Sequence, residues 1–374
     1  MWLICFLFEI MFYYILPLIL VVQFIRFCLA DADLTVLYKE KFGRPISSLN
    51  GKVVWITGAS SGIGEYAAYN LAQNCKDIRL ILSARREDEL KRVKQACIGY
   101  GLKESAVKIV ILDLADIQKH NDVVAEAVQC FGVVSIPIAH LLRSNVITDE
   151  VSNVDILINN AGRSQRSLAM QADISVDQYL CQLNVIGTIS LTKSILHNHM
   201  YARGKGLLVV ISSLAGKFGV PGSSGYSASK FALHGFFEAL NSELFATNPG
   251  IKTSIICPGA VVSNVGKNAL SDNADKQVGE SGMDNSKKMP TDRFAHLMSV
   301  AIANEIDEVW ISNHLPLLMT YLMQYTPSVG KWLMNLTTGP RLKAMASGKL
   351  DYGNFFSMLW AGLFDRFRNK TTKK

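Results

Sequence analysis

Tyr226 and Lys230 stand four residues apart in Tyr-Ser-Ala-Ser-Lys. In a helix that spacing puts a phenol and an ammonium on one face. A phenol titrates near pH 10 and is a poor acid or base at neutrality. An ammonium one turn away favours the phenolate and brings the pair toward the working range. Such a pair can exchange a proton with an oxygen that gains or loses charge, for example the alkoxide left when hydride adds to a carbonyl. Taken singly, each residue has a plainer reading, a buried aromatic or a surface charge.

A second group of residues could hold an anionic cofactor. Thr57-Gly58-Ala59-Ser60-Ser61-Gly62-Ile63-Gly64 lies between an apolar run and a helical pattern. There glycines permit a tight turn and let the backbone approach a pyrophosphate at a helix N-terminus. The rival reading is a glycine turn without a ligand. At the end of the next apolar run stands Ser83-Ala84-Arg85-Arg86. NAD enzymes of this kind place an acidic residue there for the ribose 2′-hydroxyl. Here no carboxylate would repel a 2′-phosphate, and the planar guanidinium of Arg85 can pair with one, so the cofactor expected is NADP(H). Arg86 alone reads equally as a solvated charge at a helix start.

The elements that must position these groups alternate along the chain. Strands are predicted at 52–57, 78–83, 107–112, 154–158, 206–211, 252–257 and 308–311, and helices at 63–73, 87–100, 121–131, 176–199 and 227–245. Ile63, Ala67, Ala68 and Leu71 share one face of the first of these helices. The pattern predicts an α/β fold, a Rossmann-type doubly wound parallel sheet of about seven strands with ligands at the carboxyl ends of the strands. No internal repeat is visible.

At 374 residues the chain has room for one large domain with appendages. The expected division is an N-terminal membrane anchor (1–30), a polar connector (31–50), a catalytic domain (51–312) and an apolar and basic C-terminal extension (313–374). From 2 to 25 the only charged side chain is Glu9. Those residues as a helix would span roughly 36 Å, against a hydrocarbon core of about 30 Å. A transmembrane helix is expected, with a cleaved signal peptide as the alternative. Arg26, Lys39, Lys41 and Arg44 follow the span and none precedes it, which favours a cytosolic domain. Two glycosylation sequons, at Asn335 and Asn369, keep the lumenal side open.

Seven scattered cysteines with no C-x-x-C pair suggest neither a disulfide framework nor a zinc site. His197-Asn198-His199 reads as the polar face of a helix end, since no further ligand lies at metal spacing. No metal is expected. The formal charge of +7 owes much to Arg366, Arg368, Lys370, Lys373 and Lys374, which follow an aromatic stretch at 355–364. This reads as a contact with a lipid bilayer, and no groove reader or stacking platform for nucleic acid is apparent.

The T-G-x-x-x-G-x-G spacing at 57–64 and the Tyr226-x-x-x-Lys230 pair resemble the short-chain dehydrogenase/reductase family, over roughly 51–311. The resemblance implies roles for further residues. Ser213, after the strand at 207–211 and thirteen positions before Tyr226, matches the serine that polarises the substrate oxygen. Asn184 matches the asparagine that holds a water linking Lys230 to solvent, and Lys230 also holds the nicotinamide ribose. Asp113 and Leu114 match the adenine-contacting position, and Asn160, Ala161 and Gly162 a ring-stabilising motif. Pro258-Gly259-Ala260-Val261-Val262-Ser263 resembles P-G-x-V-x-T, which fixes the nicotinamide carboxamide, with Ser263 in place of threonine. Four relay residues in order and register outweigh the plain readings of each.

Ser83-Ala84-Arg85-Arg86, Ser164-Gln165-Arg166-Ser167-Leu168, Gly187-Thr188, Ser190-Leu191-Thr192-Lys193 and Glu308-Val309-Trp310-Ile311-Ser312 resemble one subfamily, the SDR family member 7 group. It implies single-pass enzymes of the endoplasmic reticulum membrane linked to retinoid and steroid carbonyls. Small lipophilic carbonyls or alcohols are the substrates then expected. The residues at 264–289 take the place of the family's mobile substrate lid, and the apolar stretch 315–332 follows. The family is often oligomeric, but nothing in the sequence selects a number of subunits. One departure is an insertion of about twenty residues at 133–153. The rival functions are a sugar-nucleotide epimerase, which shares Tyr-x-x-x-Lys but not the glycine spacing, and a silent NADP(H)-binding membrane scaffold.

Overall fold

A strand buried on both faces needs no polar alternation, and the apolar runs of this chain have the length and β-branched content of such strands. The computed structural model describes residues 11–28, 30–132, 154–279, 288–346 and 359. Seven strands form one sheet: β1 (Val53–Thr57), β2 (Arg79–Ala84), β3 (Val107–Ile111), β4 (Ile156–Asn159), β5 (Gly206–Ile211), β6 (Ile251–Pro258) and β7 (Glu308–Ile311). Their order is β3-β2-β1-β4-β5-β6-β7, and every pairing is parallel. The predicted strands all form, with ends moved by one or two residues.

Helices cover both faces. On one, α3 (Gly62–Asn74), α4 (Glu87–Gly99) and α8 (Thr291–Ala303) pack Ala67, Leu71, Leu90, Phe294 and Met298 against Ile56, Leu80 and Val209 of the sheet. On the other, α5 (His120–Gln129), a long helix α6 (174–203) and α7 (Ser224–Thr247) pack Val124, Ile195, Leu233 and Phe237 against Trp55, Leu157 and Val210. Trp55 is fully buried, and its indole N–H donates to Ser83 Oγ at 2.8 Å. Unpaired, that group would cost about 1–3 kcal/mol.

The chain builds β1, β2 and β3 outward in one direction and then returns to lay β4 on the other side of β1. This switch point opens a crevice above the carboxyl ends of β1 and β4, where ligands of doubly wound sheets sit. The glycine loop leaves one lip of that crevice and Asn160-Ala161-Gly162 the other.

The segment 31–50, expected as a connector, is built into the domain. Asp33 caps helix α2 (Leu34–Phe42), accepting from the backbone N–H groups of Thr35 and Val36. It also accepts from Trp310 N–H at 2.6 Å, and Ala32 bridges Ile311 on β7. Arg293 on α8 pairs with both Asp31 and Glu40. The open edge at β7 is thus partly covered by the chain's own beginning.

Ahead of it, a π-helical turn (Met11–Ile15) and helix α1 (Leu16–Cys28) carry exposed apolar side chains at 11–19, 21 and 22. Among the described residues no helix is long and apolar enough to cross a membrane. The first ten residues of the expected anchor, the insertion 133–153 and the basic tail lie outside the described residues. Two helices follow β7, α9 (His314–Tyr325) and α10 (Pro327–Ala346), and they pack against each other.

Candidate active site

The glycine loop is shaped by its neighbours. Gly58 (φ +66°) and Gly62 (φ +59°) adopt the left-handed conformation that favours glycine. At Gly64 a Cβ would stand 2.5 Å from Gly58 O and 2.6 Å from Asn160 Nδ2. Asn160 closes this packing by donating to Thr57 O (3.0 Å) and Gly58 O (3.3 Å). Thr57 Oγ1 accepts from the backbone N–H groups of Asn160 (3.0 Å) and Ala161 (3.2 Å). The two lips of the crevice are therefore bolted together at β1 and β4. Ser61, the N-cap of α3, makes no side-chain cap bond, so the first amides of that helix face the crevice available to an anion.

Below this loop the chemistry-bearing residues sit on three elements. Tyr226 and Lys230 occupy successive turns of α7, and Lys230 Nζ lies 5.8 Å from the centre of the Tyr226 ring. Lys230 is buried and donates to Ile211 O at 2.8 Å. Burial lowers its ammonium to about 8. Ser213, just past β5, accepts from Ala215 N–H at 3.1 Å and makes a long contact of 3.4 Å to Pro258 O. Asn184 lies in a π-helical turn (Cys181–Gly187) within α6, the kind of irregularity that often marks a functional site. Its carboxamide accepts from Arg163 N–H (2.9 Å) and donates to Arg163 O (2.9 Å) and Ser229 Oγ (3.0 Å). Asn184 thus ties α6 to α7 beside the turn that carries Lys230.

One cavity of about 570 Å³ joins these parts. Of the residues given a catalytic or cofactor role from the sequence, all line it except Thr57, Gly64 and Asn184, which act from behind the wall. Ser60, Ser61, Gly62 and Ile63 line it at the start of α3, and Arg85, Asp113 and Leu114 at the ends of β2 and β3. Arg85 Nη1 is 4.0 Å from Asp113 Oδ2, both about half exposed, a weak pairing in water. Arg86 also lines the cavity and reaches Ser60 Oγ at 3.4 Å. Pro258, Gly259, Val261 and Ser263 form the far lip. Gly259 is forced by packing, since a Cβ there would stand 1.9 Å from Ser312 Oγ.

Sequence reasoning assigned no role to Gln165, although it lies in a motif used only for the resemblance. Fully buried, its side-chain oxygen accepts from the backbone N–H groups of Gly225 (2.9 Å) and Tyr226 (3.3 Å) at the start of α7. It orients the first turn, and with it Tyr226. The available signal was a polar run directly after a buried strand, where packing alone would not choose such residues. Equally unassigned were the walls from the C-terminal helices, Leu315, Pro316 and Met319 on α9 and Met334, Thr337 and Arg341 on α10.

The histidine pair shows no metal geometry: His199 is buried beside Arg203 and lowered to about 4, chiefly by desolvation, while His197 touches Asn198. Among the described residues one cluster has metal-ligand composition, His234, Glu238 and Glu308. Lys217 Nζ stands 2.9 Å from Glu308 and supplies the positive charge that a cation would bring.

A parallel Rossmann-type sheet, a glycine-lined crevice at its switch point and a Tyr-Lys pair within one cavity define a dinucleotide-dependent oxidoreductase architecture. The short chain dehydrogenase family model matches residues 52–139 and 143–274, more than half of the chain. This protein belongs to the short-chain dehydrogenase/reductase family. It is 44% identical over 333 residues to dehydrogenase/reductase SDR family member 7 of Homo sapiens, covering 88% of this chain and 91% of that one. A 7-like relative from Anopheles gambiae is 32% identical over 319 residues, 84% of this chain and 92% of the other. Among solved structures, an alcohol dehydrogenase from Thermococcus sibiricus complexed with 5-hydroxy-NADP aligns at TM-score 0.55 and 22% identity, over 70% of this chain and 97% of that one. A family enzyme from Burkholderia phymatum in complex with NAD aligns at TM-score 0.60 and 20% identity, over 75% and 96%. These two likenesses speak for the fold.

Proposed function

We propose that this chain is an NADPH-dependent carbonyl reductase, and in reverse an alcohol dehydrogenase, acting on lipophilic carbonyls such as retinal or steroid ketones. The observation that carries the reading is the placement of Tyr226, Lys230 and Ser213 in the same cavity as the glycine loop. The residues fit a dinucleotide: the α3 N-terminus is uncapped by side chains, and the glycines around it leave room that a Cβ would take. When bound, a nicotinamide cofactor supplies the hydride. Tyr226 Oη gives its proton to the substrate oxygen, so that carbonyl, hydride and proton make the alcohol. Ser213 Oγ donates a hydrogen bond to that oxygen. Lys230, held between Ile211 O and the Tyr226 ring, stabilises the phenolate left behind. Asn184 positions the α6–α7 contact beside it.

Preference for NADPH is supported by Arg85 and Arg86 on the cavity wall where an acidic residue would select NADH. Attachment to the membrane of the endoplasmic reticulum is part of the proposal. It is supported by the exposed apolar side chains at 11–16, 18, 19, 21 and 22, by Leu34, Tyr38 and Phe42 on α2, and by Tyr325 and Trp332 on the late helices.

The deciding experiment follows NADPH oxidation by the detergent-solubilised full chain against retinal, steroid ketones and small aromatic carbonyls, with NADH alongside. Tyr226→Phe should lose at least about a hundredfold in turnover, the scale of acid–base catalysis, while NADPH binding measured by fluorescence stays within about twofold. NADPH binding without turnover of any carbonyl would sink the enzymatic reading in favour of a silent scaffold.

A further inference from the structure

Tyr226 and Lys230 begin a longer series on α7. Tyr226, Lys230, His234 and Glu238 follow one another at four-residue steps, so titratable side chains continue along the stripe that starts in the cavity. His234, the third of them, is buried, does not line the cavity and has no part in the reduction described above.

Its ring touches three neighbours of the helix. Nε2 lies 3.5 Å from Cys257 Sγ on β6, directly before the lip at 258–263. The ring edge packs on the turn that follows Ser213, where a Cβ at Gly216 would stand 2.8 Å from His234 Cδ2. Nδ1 stands 3.4 Å from Glu238 Oε1 and 3.8 Å from Glu308 Oε2 on β7, and is hydrogen-bonded to neither. Glu308 is held in turn by Lys217 Nζ at 2.9 Å, one residue beyond Gly216.

These surroundings decide the state of the ring. Burial, together with Lys217, holds the imidazole below its usual value, so it is neutral at pH 7. The two carboxylates favour the tautomer with its proton on Nδ1, which leaves Nε2 to accept from the Cys257 thiol. Burial keeps that thiol protonated and able to donate. A leucine would fill the same space without burying a polar nitrogen that lacks a hydrogen bond. What the histidine adds is a directed bond from the catalytic helix to the strand end that carries the lip.

We propose that His234 is a positioning residue for the cofactor, tying α7 through Cys257 to the lip at 258–263 and so fixing where that lip stands relative to Tyr226. This rests on the reductase reading, which puts the nicotinamide at that lip, and adds a residue to its machinery.

The test compares, by titration of the detergent-solubilised full chain, the binding of NADPH and of adenosine 2′,5′-bisphosphate, the adenine end of the same cofactor. His234→Phe should weaken NADPH about three- to tenfold, the scale of one modest hydrogen bond. The bisphosphate, which ends before the lip, should stay within about twofold, whereas a general loosening of the fold would weaken both. His234→Gln, whose side-chain oxygen can accept from the thiol, should recover most of the loss. Cys257→Ala approaches the same bond from the other side, and the double variant His234→Phe, Cys257→Ala should lose no more than either alone. Unchanged NADPH affinity in the single variants, an equal loss for the bisphosphate, or losses that multiply in the double variant overturns the proposal. None of these measurements needs turnover. The expected pattern in a chain that reduces no carbonyl would uphold the role of His234 and count against the reductase reading alone.

Discussion

The two halves of the cavity are made differently. The cofactor half is mostly backbone: glycines at 58, 62 and 64, strand ends, and clamps such as Asn160 on Thr57 O, all within elements that are neighbours in the sheet. The substrate half is mostly side chain, contributed by the loop at 163–166, the segment at 264–268 and the late helices α9 and α10. A backbone-built site tolerates little change, because its neighbours cannot rotate away. A side-chain site can be reshaped by substitution, one wall at a time.

The hardest strike against the first half is Gly64→Ala, whose Cβ would meet Gly58 O and the Asn160 side chain. Overpacking of this sort costs about 1–3 kcal/mol, so dinucleotide affinity by titration should fall roughly ten- to a hundredfold. Unchanged affinity would show that the bolted lips do not shape the site.

Lys230, at the seam of the halves, tests the charge held between them. Its folded-state value of about 8 lies below the ordinary 10.5. The folded chain therefore binds fewer protons than the unfolded one between those values, and stability rises with pH through that window. Below about pH 8 the ammonium's burial cost is fully present, roughly 3 kcal/mol. Lys230→Met should raise the denaturation midpoint of the cofactor-free protein at pH 7, with the advantage fading toward pH 10.5, while turnover disappears. A destabilised variant at pH 7 would mean that the bond to Ile211 O outweighs desolvation.

Arg85→Ala should weaken NADPH by about ten- to thirtyfold relative to NADH, as loss of a charge-assisted contact does. Equal losses for both would remove Arg85 from the 2′-phosphate. The smallest effect belongs to the adaptable half. Met319→Ala should alter KM for lipophilic carbonyls by about two- to fivefold in a manner that depends on substrate shape, with KM for NADPH unmoved.

That division also explains what the sequence could reveal. Strands such as 206–211 declare themselves because a strand covered by helices on both faces must be apolar throughout. The glycine loop and Tyr226-x-x-x-Lys230 are local, so both chemistry and spacing sit within a few residues. Asn184 could be matched to a pattern, but the π-helical turn that aims it has no signature in Cys-Gln-Leu-Asn. Gln165 bonds residues some sixty positions away and Arg341 a loop 120 positions earlier. Such partnerships depend on how the layers close, which no short window contains. The same holds for Asp33, read as part of a polar connector although it caps a helix and binds Trp310.

That last contact spans 277 positions. At synthesis rates of about 5–20 residues per second, roughly 14–55 s pass between the emergence of Asp33 and that of Trp310. The first stretch of the domain to leave the ribosome is thus among the last to find its place, docking only when the seventh strand exists. Until Arg293 and Trp310 have been made, Asp31, Asp33 and Glu40 lack the partners that hold this segment in the folded chain.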